Sequence, residues 1–188
     1  MLNALGFESL AFIVAPIRKY PQSMGVRVLA KYDSDLFSGP FQGAGSPRPD
    51  LPPEEIPTLL MKSLQLNDFP HVNAGLESMW AFAGDTTRHI FQQNMTDFIE
   101  SAHKTAHQLP TSFYAAAMYG QEWSMETSLN FCGKDKRIAT QVMRTICSDG
   151  RLRRWQWELR EKRRPPDMGC WFVESIGSSN RKGQFEAE

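Results

Sequence analysis

Between residues 56 and 131 the spacing of apolar side chains changes from helical to strictly alternating, and that change constrains the fold more than any other feature of the chain. Ile56, Leu59, Leu60 and Leu64 recur at the spacing of one helical stripe. Trp123, Met125, Thr127, Leu129 and Phe131 instead fall on every second residue, with Ser124, Glu126, Ser128 and Asn130 between them. A period near 3.6 puts apolar groups on one side of a helix, whereas a period of two puts them on one face of a half-buried strand. Helices first and an antiparallel sheet afterwards predict an α+β domain.

Within the helical half, Pro52-Pro53-Glu54-Glu55 opens the first helix. Proline is tolerated in a first turn, and early carboxylates suit the positive end of the helix dipole. The stripe continues despite Pro57. A short second helix is expected from Gly75 to Phe82, with Leu76, Met79, Trp80 and Ala83 on one side. Asp85-Thr86-Thr87 reads as the cap of a third, from about Arg88 to Gln108, whose stripe is Phe91, Met95, Phe98, Ile99 and Ala102. Pro110 ends it.

Four strands should follow. The first is 123–131 and the second Ile138 to Cys147, closed by the turn Ser148-Asp149-Gly150. The third, Arg151 to Arg160, turns Trp155, Trp157 and Leu159 inward. The fourth is Trp171 to Ile176. Upstream, residues 1–37 read as an extension carrying a β-hairpin, Ser9 to Ala15 and Val26 to Tyr32 around Pro21-Gln22-Ser23. A short amphipathic helix competes for the first of those runs. Residues 38–53 form a Pro/Gly-rich linker, 54–177 the α+β domain and 178–188 a polar tail.

The chain of 188 residues suits one domain with a substantial core. It has 21 Lys and Arg against 21 Asp and Glu, so no global field draws it to nucleic acid or an anionic membrane. Its three cysteines, Cys132, Cys147 and Cys170, argue against a disulfide framework and against structural zinc, and favour a reducing compartment. No apolar run approaches the roughly 20 residues of a membrane helix. Leu10 to Ala15 lacks the basic leading flank of a signal peptide, and Met1 to Glu8 lacks the Arg and Ser of a transit peptide. The protein is expected to be soluble, either working where it is made or present as a processed form.

An Asn-Asp step at Asn67-Asp68 ends the first helix, followed by Asn73-Ala74-Gly75-Leu76-Glu77 and Trp80-Ala81-Phe82-Ala83. Trp155, Trp157 and Leu159 come later, and Gly169-Cys170-Trp171 near the end. This layout, over roughly Ser46 to Ile176, resembles a plant and bacterial domain family of unknown function, DUF4864. The resemblance implies an NTF2-like cone, with three helices closing one side of a curved antiparallel sheet. It implies no reaction and no catalytic residues. The plant members of the family imply a plastid or other organellar setting.

Three groups of residues are candidates for function. His103 and His107 lie four apart, with Glu100 one turn earlier, a spacing seen in metal sites but short of ligands; a polar helix face is the plainer role. Trp80, Tyr114, Trp123 and Trp157 could line a pocket inside a cone, with Asp97 or His89 as acid–base groups, or simply fill it. Arg151, Arg153, Arg154, Arg160, Lys162, Arg163 and Arg164 surround Trp155 and Trp157, a mixture that suits single-stranded nucleic acid. Alternation, however, sends those tryptophans to the core face. A solvated basic segment, or one docking an acidic protein partner through Arg160, Lys162, Arg163 and Arg164, fits better.

No metal, cofactor or catalytic set is expected. The leading expectation is a non-catalytic accessory subunit of a larger protein complex, which any membrane association would have to go through. A small-molecule-binding or enzymatic pocket protein is the alternative.

Overall fold

The computed structural model describes residues 45–120 and 122–179. The N-terminal hairpin, the linker up to residue 44 and the tail beyond residue 179 lie outside the described residues.

The first helical stripe forms α1, Glu55–Gln65, and buries Ile56, Leu60, Met61 and Leu64 almost completely. Pro57 is accommodated in its first turn and is itself buried. The linker's last residues are not a free spacer, because Leu51 is buried in the same core. In α2, Ala74–Ala81, the residues Leu76, Met79 and Trp80 face inward as expected.

The expected third helix is two helices. It divides into α3, Asp85–Ile90, and α4, Met95–Gln108. Between them Gln92 and Gln93 both take left-handed backbone conformations, with φ of 50° and 63°. Asn94 then caps α4, its side-chain oxygen accepting from the N–H groups of Thr96 at 2.9 Å and Asp97 at 3.4 Å. The break moves Met95 out of the expected stripe to an exposed position, while Phe98 and Ala102 stay buried. Asn94→Ala should cost about 1 kcal/mol, the usual worth of such a cap, measured by urea denaturation. An unchanged midpoint would mean that the turn holds without the cap.

A further helix, α5, spans Phe113–Tyr119 and was not expected. Its seven residues are too few to display a period, and the Ser112 side chain caps it by accepting from Ala115 N–H at 3.2 Å. It buries Phe113 edge-on against Trp155 and Trp157, with ring centres 5.6 and 5.4 Å apart. Five helices, not three, thus precede the strands among the described residues.

The strands are β1 (Glu122–Met125), β2 (Asn130–Cys132), β3 (Ile138–Ile146), β4 (Leu152–Glu161) and β5 (Trp171–Ser178). They form one open antiparallel sheet ordered β1-β3-β4-β5, and β2 also pairs with β3. The single first strand expected over 123–131 is broken between β1 and β2. There Glu126 and Thr127 both donate to the Val142 carbonyl, and Thr127 Oγ1 accepts from Val142 N–H at 3.0 Å. With both Val142 backbone groups taken on that edge, the pairing with β1 stops there, while Val142 stays paired with Gln156 on the β4 side.

Register places Ala139 opposite Leu159, Gln141 opposite Trp157 and Met143 opposite Trp155. Side chains directly opposite share a face, so these residues make the inner layer on which the helices pack. The Trp155 indole N–H donates to Thr145 Oγ1 at 2.9 Å inside that layer. The segment from Phe82 to Gly84 runs parallel beside β5: Val173 N–H donates to Phe82, and Gly84 N–H to Val173, both at 2.8 Å. No described helix is long and apolar enough to cross a membrane.

Candidate functional site

Alternation along β4 sends Trp155, Trp157 and Leu159 to the core and leaves Gln156 and Arg160 exposed on the opposite face. At the end of β4 the chain turns through residues 162–170 to enter β5. Lys162 N–H donates to the Cys170 carbonyl at 2.9 Å, and Gly169 N–H donates back to Lys162 at 3.0 Å. Gly169 has a φ of 84°, a conformation open to glycine at little cost. This closed turn projects Lys162, Arg163 and Arg164 between the start of α3 and the turn joining β2 to β3.

An open concavity of about 590 Å³ lies there. Its bases are Arg137, Arg160, Lys162, Arg163 and Arg164, so the four residues expected to bind a partner do come together. Its acids are Asp85, Asp135, Glu161, Asp167 and Glu174. Five bases against five acids leave the concavity with no net charge. Lys162 pairs with Asp85 of α3, Arg163 pairs with Asp135 of the β2–β3 turn, and Arg137 lies 3.8 Å from Glu161. The Lys162 ammonium also sits 5.3 Å from the centre of the Phe172 ring. Arg160 is 3.7 Å from Glu158. Among the described residues Arg164 has no ion-pair partner. The acids were invisible as a group in the sequence. Asp85 read as a helix cap, and Asp135 falls in a turn with no periodic signal.

Trp155 and Trp157 are 7% and 0% exposed, so neither can stack on a base. Arg151 sits beside Asp149 at 3.6 Å, and Arg154 donates to Glu126 at 2.7 Å. Basic residues therefore surround the tryptophans in sequence but not at a shared surface.

The four aromatic pocket candidates lie in or against the core rather than around this concavity. Trp80 packs on Phe98 at 5.4 Å, and Phe98 meets Tyr114 edge-on at 6.0 Å. Trp157 is enclosed, and Trp123 is half-buried against the same cluster. Burial raises the Tyr114 phenol well above its ordinary range. His89 and Asp97 are exposed on α3 and α4. Two buried polar atoms in this layer, Gln141 Oε1 and Trp157 Nε1, lack hydrogen-bond partners.

His103 and His107 stack with ring centres 6.4 Å apart. Among the described residues no group of three potential ligands forms a metal site. His103 Nε2 instead meets Asn73 Oδ1 at 2.6 Å, joining α4 to the turn between α1 and α2. That turn is its own network. Asn67 Oδ1 accepts from Leu76 N–H at 3.0 Å, and Asp68 Oδ1 accepts from Asn73 N–H at 3.1 Å. The two asparagine motifs of the sequence are thus parts of one joint. A smaller concavity of about 230 Å³ borders it, beside the His71–Glu77 pair at 2.7 Å.

Cys132, Cys147 and Cys170 are all free thiols. Burial pushes the Cys147 and Cys170 thiols up, away from the reactive thiolate form. No protein-family model, no curated protein and no solved structure matches this chain.

Proposed function

We propose that this chain is a non-catalytic accessory or assembly subunit that docks a protein partner through the charged concavity, within a larger complex. The observation that carries this reading is the convergence of ten ionisable residues from α3, the β2–β3 turn, β4, β5 and the 162–170 turn on one open surface. Exposed, alternating charges contribute little to folding but strongly to encounter and orientation between proteins. The finer reading is an NTF2-like cone of the DUF4864 kind, working in a plastid or another organelle. The α+β architecture and the free thiols are compatible with it.

The test is the native mass of the endogenous protein together with a charge-reversed variant. Arg160→Glu with Arg164→Glu should leave the thermal midpoint within a degree or two, because both side chains are exposed, and should sharply reduce recovery of the complex. The wild-type association should also weaken as salt rises. Recovery of the variant complex at normal yield would remove the concavity from the interface. Recovery of the wild type only as a free small species would remove the reading altogether.

A small-molecule pocket is the second reading, and one observation favours it: the unpartnered Gln141 and Trp157 atoms belong to residues directly opposite each other on β3 and β4, in the helix-covered layer. A ligand carrying both a donor and an acceptor would satisfy the two. Saturable thermal stabilisation by such a compound, lost in Gln141→Leu, would support it.

A further inference from the structure

We infer that Asp85 and Asp135 are internal stand-ins for the carboxylates of an acidic polypeptide segment, and that a docking partner displaces them from Lys162 and Arg163. The inference rests on the docking reading above and names the chemistry of its partner. Lys162 and Arg163 are consecutive, yet each pairs with a carboxylate from a different element, Asp85 from α3 and Asp135 from the β2–β3 turn. The two acids flank the 162–170 turn, and Arg164 follows without a partner. An arrangement of three successive bases, two filled and one open, has the pattern of a carboxylate-binding row.

The pairs are built to exchange. The Asp85 side chain is 81% exposed and that of Asp135 45%, while Arg163 is 67% exposed and Lys162, whose ammonium also lies over the Phe172 ring, 22%. The solvated Arg163–Asp135 pair holds by about 1 kcal/mol or less, and Asp85 keeps most of its own hydration while paired. An incoming carboxylate loses little by replacing either aspartate, and the concavity of about 590 Å³ admits a peptide segment. Until it arrives, the aspartates keep both bases oriented and suppress non-specific attraction of polyanions. Glu161 restrains Arg137 in the same way at 3.8 Å.

The test is sign-specific, because removing an acid should improve binding. Fluorescent hexaglutamate, titrated by anisotropy at low ionic strength, is the probe. Asp85→Asn and Asp135→Asn should each tighten it by about two- to fivefold, the scale of one solvated charge pair, and Arg164→Ala should weaken it similarly. Asp97→Asn on α4 makes the same change in net charge away from the concavity and should leave the affinity unchanged. Equal tightening in all three asparagine variants would reduce the effect to net charge and overturn the inference. So would unchanged binding in the Asp85 and Asp135 variants, or no binding in any protein. Tighter binding of a single-stranded oligonucleotide, but not of hexaglutamate, would overturn the assignment to a polypeptide. If the endogenous protein proves free of partners while Asp135→Asn still tightens the probe, the docking reading falls and the carboxylate row stands. A stable complex indifferent to both aspartates gives the reverse.

Discussion

Trp157→Ala should lower the stability of this domain by about 3–5 kcal/mol, the range for truncating a buried large aromatic, as read by urea denaturation. The side chain is fully enclosed, lies edge-on to Phe113 at 5.4 Å and sits opposite Gln141 in the middle of β3 and β4. Its indole N–H has no hydrogen-bond partner, so the loss comes from packing and the cavity left behind. Trp157→Phe separates the two contributions. It gives up volume but removes an unsatisfied buried donor, and should cost clearly less than the alanine variant. A Trp157→Ala protein with near-wild-type stability would mean that β4 presents its other face to the helices. The tryptophans would then return as a stacking surface beside the arginines.

Gly75→Ala should be nearly as damaging for its size. A Cβ at this position would stand 2.3 Å from the Ser63 carbonyl oxygen, 2.8 Å from its carbon and 2.9 Å from Asn67 Cα. All three are backbone atoms of α1 and the turn after it, so no side chain can swing aside. Alanine gains about 1 kcal/mol of helix propensity over glycine, and overpacking of this kind typically costs 1–3 kcal/mol before any larger backbone shift. Here α1 must move away from α2, which also strains the Gly75 N–H bond to the Asn67 carbonyl at 3.0 Å. The net expectation is a loss of roughly 2 kcal/mol, with faster amide exchange in both helices. Gly177→Ala is the control, since a Cβ there meets nothing within 4 Å. Equal stabilities for the two variants would show that the helix approach is not tight.

These two residues also mark how far a sequence of this kind can be read. Alternation alone places Trp157 on the core face, because a strand's period of two leaves one choice of side once the neighbouring Gln156 and Glu158 are assigned outward. The long runs were legible for the same reason. α1 and β4 repeat their pattern often enough to fix both type and facing, and β3 often enough to fix its type. Where the signal was short or interrupted, it misled. α5 has about two turns after Ser112, too few to repeat a pattern, and the break at 91–94 depends on two glutamines in a conformation no pattern announces. Size and inward facing are what mark Trp80, Tyr114, Trp123 and Trp157 as pocket candidates. Those properties identify core as readily as they identify a ligand site.

Local propensity and hydrophobic period by themselves determined that helices precede an antiparallel sheet and that the β4 tryptophans face inward, and the basic run at 160–164 is plain in the sequence. Only the tertiary structure decided what that basic segment faces. Asp85 and Asp135 are 77 and 28 residues away from their partners Lys162 and Arg163 along the chain, as their numbers show. Register and the closed 162–170 turn bring them together. Charge acts through space and carries no period along the chain, so the balance of five acids against five bases in one concavity exists only once the sheet has formed.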